Sequence, residues 1–495
     1  MSHMQPSDRP DQAGRLETDV LVIGAGPAGM AATAAAAGTG AAVMALEAGD
    51  RIGGNAVWST GYVAFVGSDA QRRAGIGDST DRFLDDAARI VDQSRDHFAV
   101  IWDRDLTRIF AEHSAETYRI LTDAGVRFTR FIPRPQQHSV DRMLAAEDPR
   151  MFATAFAPAF DRANVTLHTR TLAQRLIVTD GRVTGVLARR MAPDGSLGAL
   201  VEISARSGVV LASGGYQANP ELRARHQPGH RARTPYLGID TCRGDAHLMG
   251  AAVGGDLINM SFVPPLVIVS SSFVEDSIAV NGMGARFHDE AGPYDARVAA
   301  LDAQPGRAGV YVLDDVTATA KAHLFDQMPG ARHRADTLED LAAQVGCDAA
   351  ALRASVERWN GFLAGSDDRD PDFGRVVIPA GRRPIIQPPF HATDMVVGIN
   401  FCCGGFRVSS AMQVVSVFGD PIPGLYAAGD AVGGLNPCAD LGGIHLGGGF
   451  TLGRLAGLAA AEGRQAPVQG PSLQGAGLPS MLQSRIALVN LAPGA

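Results

Sequence analysis

The sequence predicts an α/β fold with a parallel sheet at its centre, and three observations support this prediction. Residues 19–23 form a short apolar run that suits a buried parallel strand. A glycine-rich turn and an alanine-rich helix follow directly, and residues 42–46 form a second apolar run. Strand, helix and strand in this order make the crossover unit of parallel sheets, so we expect a Rossmann-like domain.

Length and composition limit what the chain can be. Its 495 residues are roughly three times the commonest domain length, so one or two large domains are expected. Lys and Arg number 44 against 52 Asp and Glu, which gives a net charge of −8, and 46% of the residues are hydrophobic. This globular profile argues against a nucleic-acid partner, which would favour a basic face. Proline and glycine interrupt the uncharged stretch 20–46, so no membrane span is expected.

The turn after the first strand predicts a nucleotide site, and it has the sequence Gly24-Ala25-Gly26-Pro27-Ala28-Gly29. The first glycine permits the tight turn, the second lets the backbone approach a pyrophosphate, and the third lets helix and strand pack closely. The start of the helix also offers unpaired N–H groups to an anion. Glu47 ends the second strand, eighteen residues after Gly29, where a carboxylate can accept hydrogen bonds from a ribose. Together these features predict a dinucleotide site.

Further segments indicate which dinucleotide is bound. Residues 48–56 follow Glu47 directly with three glycines and an asparagine, and residues 422–434 contain a Gly-Asp pair; both match patterns of FAD enzymes. Similar marks recur in residues 209–216, 285–290 and 442–457. The chain thus resembles the flavoprotein superfamily of fumarate reductase, succinate dehydrogenase and 3-ketosteroid dehydrogenases. That resemblance implies a Rossmann-like FAD-binding domain of the glutathione-reductase type with an inserted α+β substrate-binding cap domain.

The same resemblance implies how FAD is held. Asp430 would bond the ribityl or diphosphate part, and backbone N–H groups near Leu446 would face the pyrimidine end of the flavin, where they stabilise a reduced, anionic flavin. No histidine occurs in residues 53–67, where relatives with covalent flavin carry one, so noncovalent FAD is expected. The predicted cofactor-binding residues are Gly24, Gly26, Pro27, Ala28, Gly29, Glu47, Ala48, Gly53, Gly54, Asn55, Ser59, Thr60, Gly61, Ala212, Ser213, Gly214, Gly429, Asp430, Gly443, His445 and Leu446.

The two cofactor-binding segments lie near opposite ends of the chain, so the FAD domain is expected to be discontinuous. We predict a loose tail over residues 1–15, an FAD-binding domain of residues 16–244 and 373–495, and a cap of residues 245–372. Residues 341–346 and 351–363 have helical spacing inside the cap. The polar turn at residues 367–374 is expected to mark the return to the FAD domain.

The sequence departs from fumarate reductases at the positions that bind substrate. Those enzymes hold a dicarboxylate with a histidine and arginines, at positions that correspond here to Phe401, Asp440 and Tyr294. A phenyl ring, an acid and a phenol cannot hold a dianion as an imidazole and two guanidinium groups do. Fumarate and similar dicarboxylates are therefore disfavoured.

Tyr294 instead resembles the tyrosine with which 3-ketosteroid dehydrogenases remove a proton next to a ketone, while hydride leaves to flavin N5. The carbonyl acidifies that proton, so a modest base suffices, although a phenol of pKa ~10 needs a neighbouring donor or charge. Those enzymes usually carry a second tyrosine near the position of Asp440, and an ionised carboxylate cannot donate a hydrogen bond. Three alternatives follow for Asp440: it is protonated and can donate a hydrogen bond, it is itself the base, or it only caps a turn. His391 and His445 are further catalytic candidates, and each also fits a structural hydrogen-bonding role.

These residues predict an FAD-dependent dehydrogenase that desaturates a C–C bond next to the carbonyl group of an apolar, cyclic ketone. The alternatives are the reverse reaction, as an enone reductase of a non-dicarboxylate substrate, and an FAD protein that catalyses a different oxidation. The expected partners are a small-molecule substrate and an electron acceptor or donor that the sequence does not identify. Five scattered cysteines fit neither a disulfide framework nor a metal site, which favours a reducing, cytoplasmic setting.

Overall fold

The computed structural model of the chain describes residues 15–94, 100–227, 234–262, 266–268, 276–325, 328, 330–436 and 441–464. Residues 1–14 of the predicted tail lie outside the described residues. The first strand already begins at Arg15, four residues before the predicted apolar run, because its start pairs with another strand of the sheet.

The strands are β1 (Arg15–Ile23), β2 (Val43–Leu46), β3 (Tyr62–Ala64), β4 (Phe128–Phe131), β5 (Met143–Ala146), β6 (Val165–His168), β7 (Thr171–Thr179), β8 (Arg182–Met191), β9 (Leu197–Leu211), β10 (Leu257–Ile258), β11 (Leu266–Ile268), β12 (Ile278–Asn281), β13 (Gly309–Asp314), β14 (Arg332–Ala335), β15 (Phe390–Asp394), β16 (Val396–Gly398), β17 (Gly405–Phe406), β18 (Gln413–Val415) and β19 (Pro421–Ala427).

The α-helices are α1 (Pro27–Gly38), α2 (Asp69–Arg73), α3 (Thr80–Ser94), α4 (Arg104–Asp123), α5 (Met151–Phe160), α6 (Pro220–His226), α7 (Asp245–Ala252), α8 (Tyr294–Asp302), α9 (Asp315–Ala320), α10 (Ala322–Phe325), α11 (Leu338–Val345), α12 (Ala349–Ala364) and α13 (Ile444–Glu462). Among the helices in the described part of the chain, none is long and apolar enough to cross a bilayer.

An eight-stranded sheet forms the centre of the larger domain. Strands β18, β19, β9, β1, β2 and β6 lie side by side in that order, and β8 and β7 extend the sheet from β9. The pairings from β19 through β9, β1 and β2 to β6 are parallel. Residues 20–23 of β1 are almost completely buried, as an apolar strand covered on both faces must be. The predicted parallel sheet is therefore confirmed.

Helices α1 and α13 pack on this sheet in direct backbone contact. A Cβ atom added to Gly453 would lie 2.3 Å from the Ala28 carbonyl oxygen, and one added to Gly457 would lie 2.2 Å from that of Ala32. Glycines four residues apart lie on one face of a helix, so they let α13 approach α1 more closely than any side chain would allow. This contact joins the beginning and the end of the FAD domain.

The smaller domain, which we call the cap, is built on a separate antiparallel sheet. Its strands lie in the order β12, β13, β15, β14. Helices α11 and α12, which the sequence predicts from their spacing, pack with this sheet around a core that includes Val312, Leu352 and Trp359.

The bounds of the cap need adjustment at both ends. Strands β15 and β16 follow the predicted end at residue 372, yet they pair with β13 and β11 of the cap. The predicted return turn is itself fixed inside the cap, because Asp370 pairs with Arg286 and Arg375 pairs with Glu290. Ala246 of α7, in turn, lies in the core of the main sheet. We therefore propose cap bounds of about residues 266–398 in place of 245–372.

Candidate active site

A cavity of about 690 Å³ lies between the larger domain and the cap. On one side it is lined by the residues that follow the carboxyl ends of β1, β2, β9 and β19, which is the usual ligand position in open α/β sheets. Gly292, Arg297 and Met328 of the cap also line it, as do Arg134 and Gln137. The cavity is thus placed to hold a dinucleotide against one wall and a second molecule against the other.

The first and last glycines of the β1–α1 turn are required by the turn itself. Gly24 has φ +101°, and a Cβ there would lie 2.5 Å from the Ala212 carbonyl oxygen. A Cβ on Gly29 would lie 1.8 Å from the Gly24 carbonyl oxygen. Neither position can accept a side chain without moving the backbone, as the sequence motif predicts.

Gly26 differs from both, because the space that its side chain would fill belongs to the cavity. Its φ of −74° is open to any residue, and apart from its own helix and chain neighbours, the only described atom within 4 Å of an added Cβ is the Gly54 Cα, at 3.9 Å. Gly26 also lines the cavity and is the N-cap of α1, where no side chain satisfies the free N–H groups. The turn therefore forms an open cradle that suits a pyrophosphate.

Glu47 is held at the end of β2 by backbone donors. Its Oε2 accepts from the Ala25 N–H over 2.7 Å, and its Oε1 accepts from the Gly49 N–H over 2.7 Å. The side chain is buried, and this burial raises the pKa of Glu47, against the opposing effect of the two N–H groups. Glu47 lines the cavity, so the same carboxylate that fixes the β1–α1 turn can meet a ribose.

Replacing Glu47 with alanine should therefore weaken FAD retention, because the Ala25 N–H loses its buried acceptor in addition to the ribose contact. A buried donor left unpaired costs about 1–3 kcal/mol, so we expect FAD affinity to fall roughly tenfold or more. Titration of the apoprotein with FAD measures the loss, and Glu47→Gln, which keeps one acceptor oxygen, is the matched control. A Glu47→Ala variant with full FAD occupancy would count against the ribose assignment.

Asn55 connects the FAD-binding side to a segment that carries no sequence motif. Its Oδ1 accepts from the Ile239 N–H over 2.9 Å, and its Nδ2 lies 3.2 Å from the Tyr236 hydroxyl and 3.3 Å from Cys242 Sγ. Burial, which is the largest cause, raises the pKa of Cys242 to about 12, so this thiol stays protonated at neutral pH. The side chain of Asn55 thereby fixes part of the cavity wall.

The C-terminal wall is formed by the start of α13 and the residues around Asp430. The side chains of Asp430 and His445 face each other with 3.5 Å between Oδ1 and Nδ1, and the His445 ring packs on that of Phe401 at 3.8 Å between centroids. Gly443 is the N-cap of α13 at φ +77°, with no side chain to satisfy the first N–H groups of the helix. Free N–H groups at this point are the donors that the predicted flavin contact needs.

Arg297 brings positive charge to the cap side of the cavity. It lies on α8, its side chain is 3% exposed, and its Nη1 donates to the Glu290 carbonyl oxygen over 3.3 Å. The Glu290 carboxylate is already paired with Arg286 and Arg375. Burial alone would raise the pKa of Glu290, but the charges of these two arginines hold it at about 2. The Glu290 carboxylate is thus paired with two other arginines, and Arg297 is among the residues that line the cavity.

The structure describes the side chains of two of the four catalytic candidates. His445 lines the cavity, whereas His391 does not; its Nε2 lies 3.0 Å from Asp315 Oδ1 and its ring packs against Phe325. Tyr294 is the first residue of α8, but its side chain lies outside the described part of the structure, and Asp440 lies wholly outside it. The catalytic roles of Tyr294 and Asp440 therefore stay predictions.

Most of the predicted cofactor-binding residues line this one cavity. Three do not: Gly29 packs against the β1–α1 turn, and Gly53 and Gly61 lie behind the wall. The sequence analysis missed several residues that do line it, namely Arg134, Gln137, Arg297, residues 171–173 and residues 236–242. Arg297 follows Tyr294 by three residues, so helical spacing was an available signal; the others carry no motif.

Comparison with known proteins identifies the family. A family model described as FAD binding domain matches residues 19–446, which is most of the chain. The chain is 29% identical over 462 residues to a probable fumarate reductase of Shewanella frigidimarina, covering 90% of this chain and 75% of that protein.

Two solved structures share the fold. A flavocytochrome c3 fumarate reductase in an open conformation superposes with a TM-score of 0.68 at 27% identity, covering 93% of this chain and 83% of that one. The 3-ketosteroid-Δ4-(5α)-dehydrogenase of Rhodococcus jostii superposes with a TM-score of 0.62 at 26% identity, covering 91% and 97%. The predicted Rossmann-like domain with a substrate-binding cap is confirmed.

Proposed function

The chain belongs to the FAD-binding-domain family of flavoproteins and is an FAD-dependent oxidoreductase of carbon–carbon bonds, and on this premise we propose that its substrate carries a carbonyl group next to the reacting bond. The supporting observation is the presence of Arg297 in the lining of the cavity. A guanidinium there can donate to a carbonyl oxygen. Removing a proton from the adjacent carbon moves negative charge onto that oxygen, so a fixed cation lowers the barrier.

Tyr294 is the proposed base on the same helix. It precedes Arg297 by three residues, and α8 therefore places the two positions one turn apart on neighbouring parts of the helix surface. A cation near a phenol favours its ionised form, which is the help that a tyrosine of ordinary pKa needs, and we propose that Arg297 has this part. Asp440 is the proposed alternative base or donor.

The cavity also restricts where the substrate can lie. Phe401 and His445 stack beside Asp430, and Met143 and Met328 add apolar surface. The Tyr62 hydroxyl is buried on the same wall, where the described residues provide it with no hydrogen-bond partner, so a bound molecule can accept from it. FAD, when bound, accepts or donates the hydride at one carbon of the reacting bond, and the proton is exchanged at the other carbon.

We propose desaturation of an apolar cyclic ketone as the first candidate reaction, supported by the tyrosine at position 294 and by the similarity to a ketosteroid dehydrogenase structure. The second candidate is reduction of a carbon–carbon double bond conjugated to a carbonyl. Two of the similar proteins are named fumarate reductases, which favours this direction. The same residues serve both directions, because the proton and hydride simply retrace their paths.

The visible spectrum of the anaerobic protein tests the proposal. Saturated cyclic ketones, including a 3-ketosteroid, are added to the oxidised protein, and the corresponding enones are added to the dithionite-reduced protein. Loss of the oxidised flavin band in the first experiment supports desaturation, and its return in the second supports reduction. A flavin band that responds to neither set contradicts the proposal and favours a different oxidation.

Replacing Tyr294 with phenylalanine should slow flavin reduction by a factor of ~100 or more while FAD stays bound, because the general base is lost. Stopped-flow absorbance of the flavin band measures the rate, and the flavin-to-protein absorbance ratio measures occupancy. An unchanged rate would remove Tyr294 from the mechanism and leave Asp440 as the candidate base.

We also propose that FAD is held without a covalent bond, since residues 53–67 contain no histidine. Acid precipitation should then release yellow flavin into the supernatant, whereas a covalent link would retain it in the pellet.

A cytoplasmic location fits the free thiols of Cys242, Cys347, Cys402 and Cys403.

A further inference from the structure

A second set of buried polar side chains adjoins the C-terminal wall of the cavity, and the proposed reaction assigns no chemical step to it. We call it the clamp network, and it consists of Asp78, Asp86, Gln137, His138 and Arg142. The side chain of Arg142 is completely buried, and Gln137 and His138 are 6% and 3% exposed. Polar groups this deeply buried are retained where they hold something in place.

Two consecutive side chains of the network hold a single cavity residue at both of its backbone groups. The Gly442 N–H donates to Gln137 Oε1 over 3.1 Å, and the Gly442 carbonyl oxygen lies 3.1 Å from His138 Nε2. A Cβ on Gly442 would lie 2.5 Å from Met143 Sδ, so the glycine also sits tightly against β5. The position of this peptide is therefore set by residues 137 and 138.

The hydrogen bonds fix the tautomer of His138. Arg142 Nη1 lies 3.4 Å from His138 Nδ1, and a guanidinium can only donate, so Nδ1 accepts. The ring proton then resides on Nε2, which donates to the Gly442 carbonyl oxygen. Burial, together with the charge of Arg142, lowers the pKa of His138 to about 4, so the ring is neutral near pH 7.

Arg142 is itself anchored on both sides. Its Nε and Nη2 donate to the two Asp78 oxygens over 2.9 and 2.8 Å, and its Nη1 donates to Asp86. Asp86 also accepts from the Ser139 N–H and hydroxyl at 2.9 and 2.8 Å. A buried ion cluster satisfied at this many atoms gives geometric restraint rather than large net stability.

The clamp network fixes the turn that precedes α13. Gly442 precedes the N-cap Gly443, whose carbonyl oxygen accepts from the Ala64 N–H at 3.0 Å. His445 and Leu446 follow in the first turn and line the cavity. Their N–H groups have no acceptor inside the helix, so their direction depends on how the Gly442–Gly443 turn is placed.

We propose that Gln137 and His138 are positioning residues for FAD, which fix the Gly442–Gly443 turn so that the first N–H groups of α13 face the flavin. These two side chains thereby raise FAD affinity and the flavin reduction potential, because N–H donors at this place stabilise the anionic reduced flavin. The inference rests on FAD binding and does not depend on which substrate the enzyme takes.

The test compares Gln137→Met and His138→Phe with the unaltered protein. Gln137→Met keeps the length of the side chain and removes the acceptor, and His138→Phe keeps a ring and removes the donor. We expect the FAD dissociation constant, measured by flavin fluorescence on the apoprotein, to rise about tenfold, as loss of a buried hydrogen bond would cause. The flavin reduction potential, measured against a reference dye, should become more negative.

Two conservative variants and one distant variant serve as controls. Gln137→Glu keeps an acceptor oxygen and His138→Gln keeps an N–H donor, so both should restore most of the affinity and potential. His333→Phe removes a histidine that pairs with Asp394 in the cap, away from the cavity, and should change neither quantity.

A folded Gln137→Met variant with unchanged FAD affinity and unchanged potential overturns the proposal. A lower melting temperature of the apoprotein with an unchanged potential would also overturn it, because that pattern shows a role in stability alone. If His138→Phe does not fold, Gln137→Met and Gln137→Glu still decide the outcome.

Discussion

Replacing Gly26 with valine should abolish FAD binding while leaving the protein folded. The backbone at Gly26 has φ −74°, which valine adopts without strain, and an added Cβ meets only the Gly54 Cα at 3.9 Å. The new side chain would occupy the part of the cavity in which the pyrophosphate approaches the backbone. We expect affinity to fall by roughly 100-fold or more, which corresponds to ~2.8 kcal/mol.

Titration of the apoprotein with FAD and a circular-dichroism melt separate binding from folding in this experiment. Gly29→Ala provides the contrasting variant, since its Cβ would overlap the Gly24 carbonyl oxygen and should unfold the turn itself. Gly77→Ala is the neutral control, because nothing lies within 4 Å of its added Cβ. A Gly26→Val protein that binds FAD normally would show that the cradle is not the pyrophosphate site.

Replacing Arg297 with methionine should slow flavin reduction by substrate about 100- to 1,000-fold at unchanged FAD occupancy. Arg297 is buried and lines the cavity, and its replacement would remove the proposed donor to the carbonyl oxygen of the substrate. Methionine retains the volume of the aliphatic stem, so the packing of α8 should survive.

Stopped-flow reduction of the flavin band measures this effect with whichever ketone or enone reacts. Arg307→Met is the matched control, because Arg307 lies in the same domain, is exposed and pairs only with the exposed Asp302 among the described residues. Equal rates for the Arg297→Met variant and the unaltered protein would exclude Arg297 from the reaction and leave its role as a cap residue.

The geometry of the β1–α1 turn could be predicted from sequence because its requirements are local. Gly24, Gly26 and Gly29 lie within one turn; close backbone contacts require the first and third to be glycine, and the second borders the open cavity. Glu47 ends the next strand, and parallel pairing of β1 with β2 brings it to the Ala25 N–H. The spacing of these residues along the chain is therefore enough to predict the geometry of the turn.

The remaining lining of the cavity could not be predicted in the same way, because distant segments build it. Arg134 and Gln137 follow β4, whereas Arg297 lies in the cap, and no spacing along the chain relates the three. The polar turn at residues 367–374 is predicted to mark the return to the FAD domain, yet Asp370 is buried and pairs with Arg286 of the cap. A polar segment usually indicates an exposed turn, but charged residues that pair with each other can be buried. The sequence alone does not show which charges pair.

The contact between α1 and α13 has a consequence for how the protein is made. The two helices are more than 400 residues apart in the sequence, and β19 must also be present to pair with β9. During synthesis the first half of the chain emerges without either partner, so the apolar faces of β9 and α1 stay uncovered until the last segments leave the ribosome. Contacts of such long range slow folding and prolong exposure to aggregation. We expect the nascent chain to depend on chaperones and premature termination before α13 to yield aggregates.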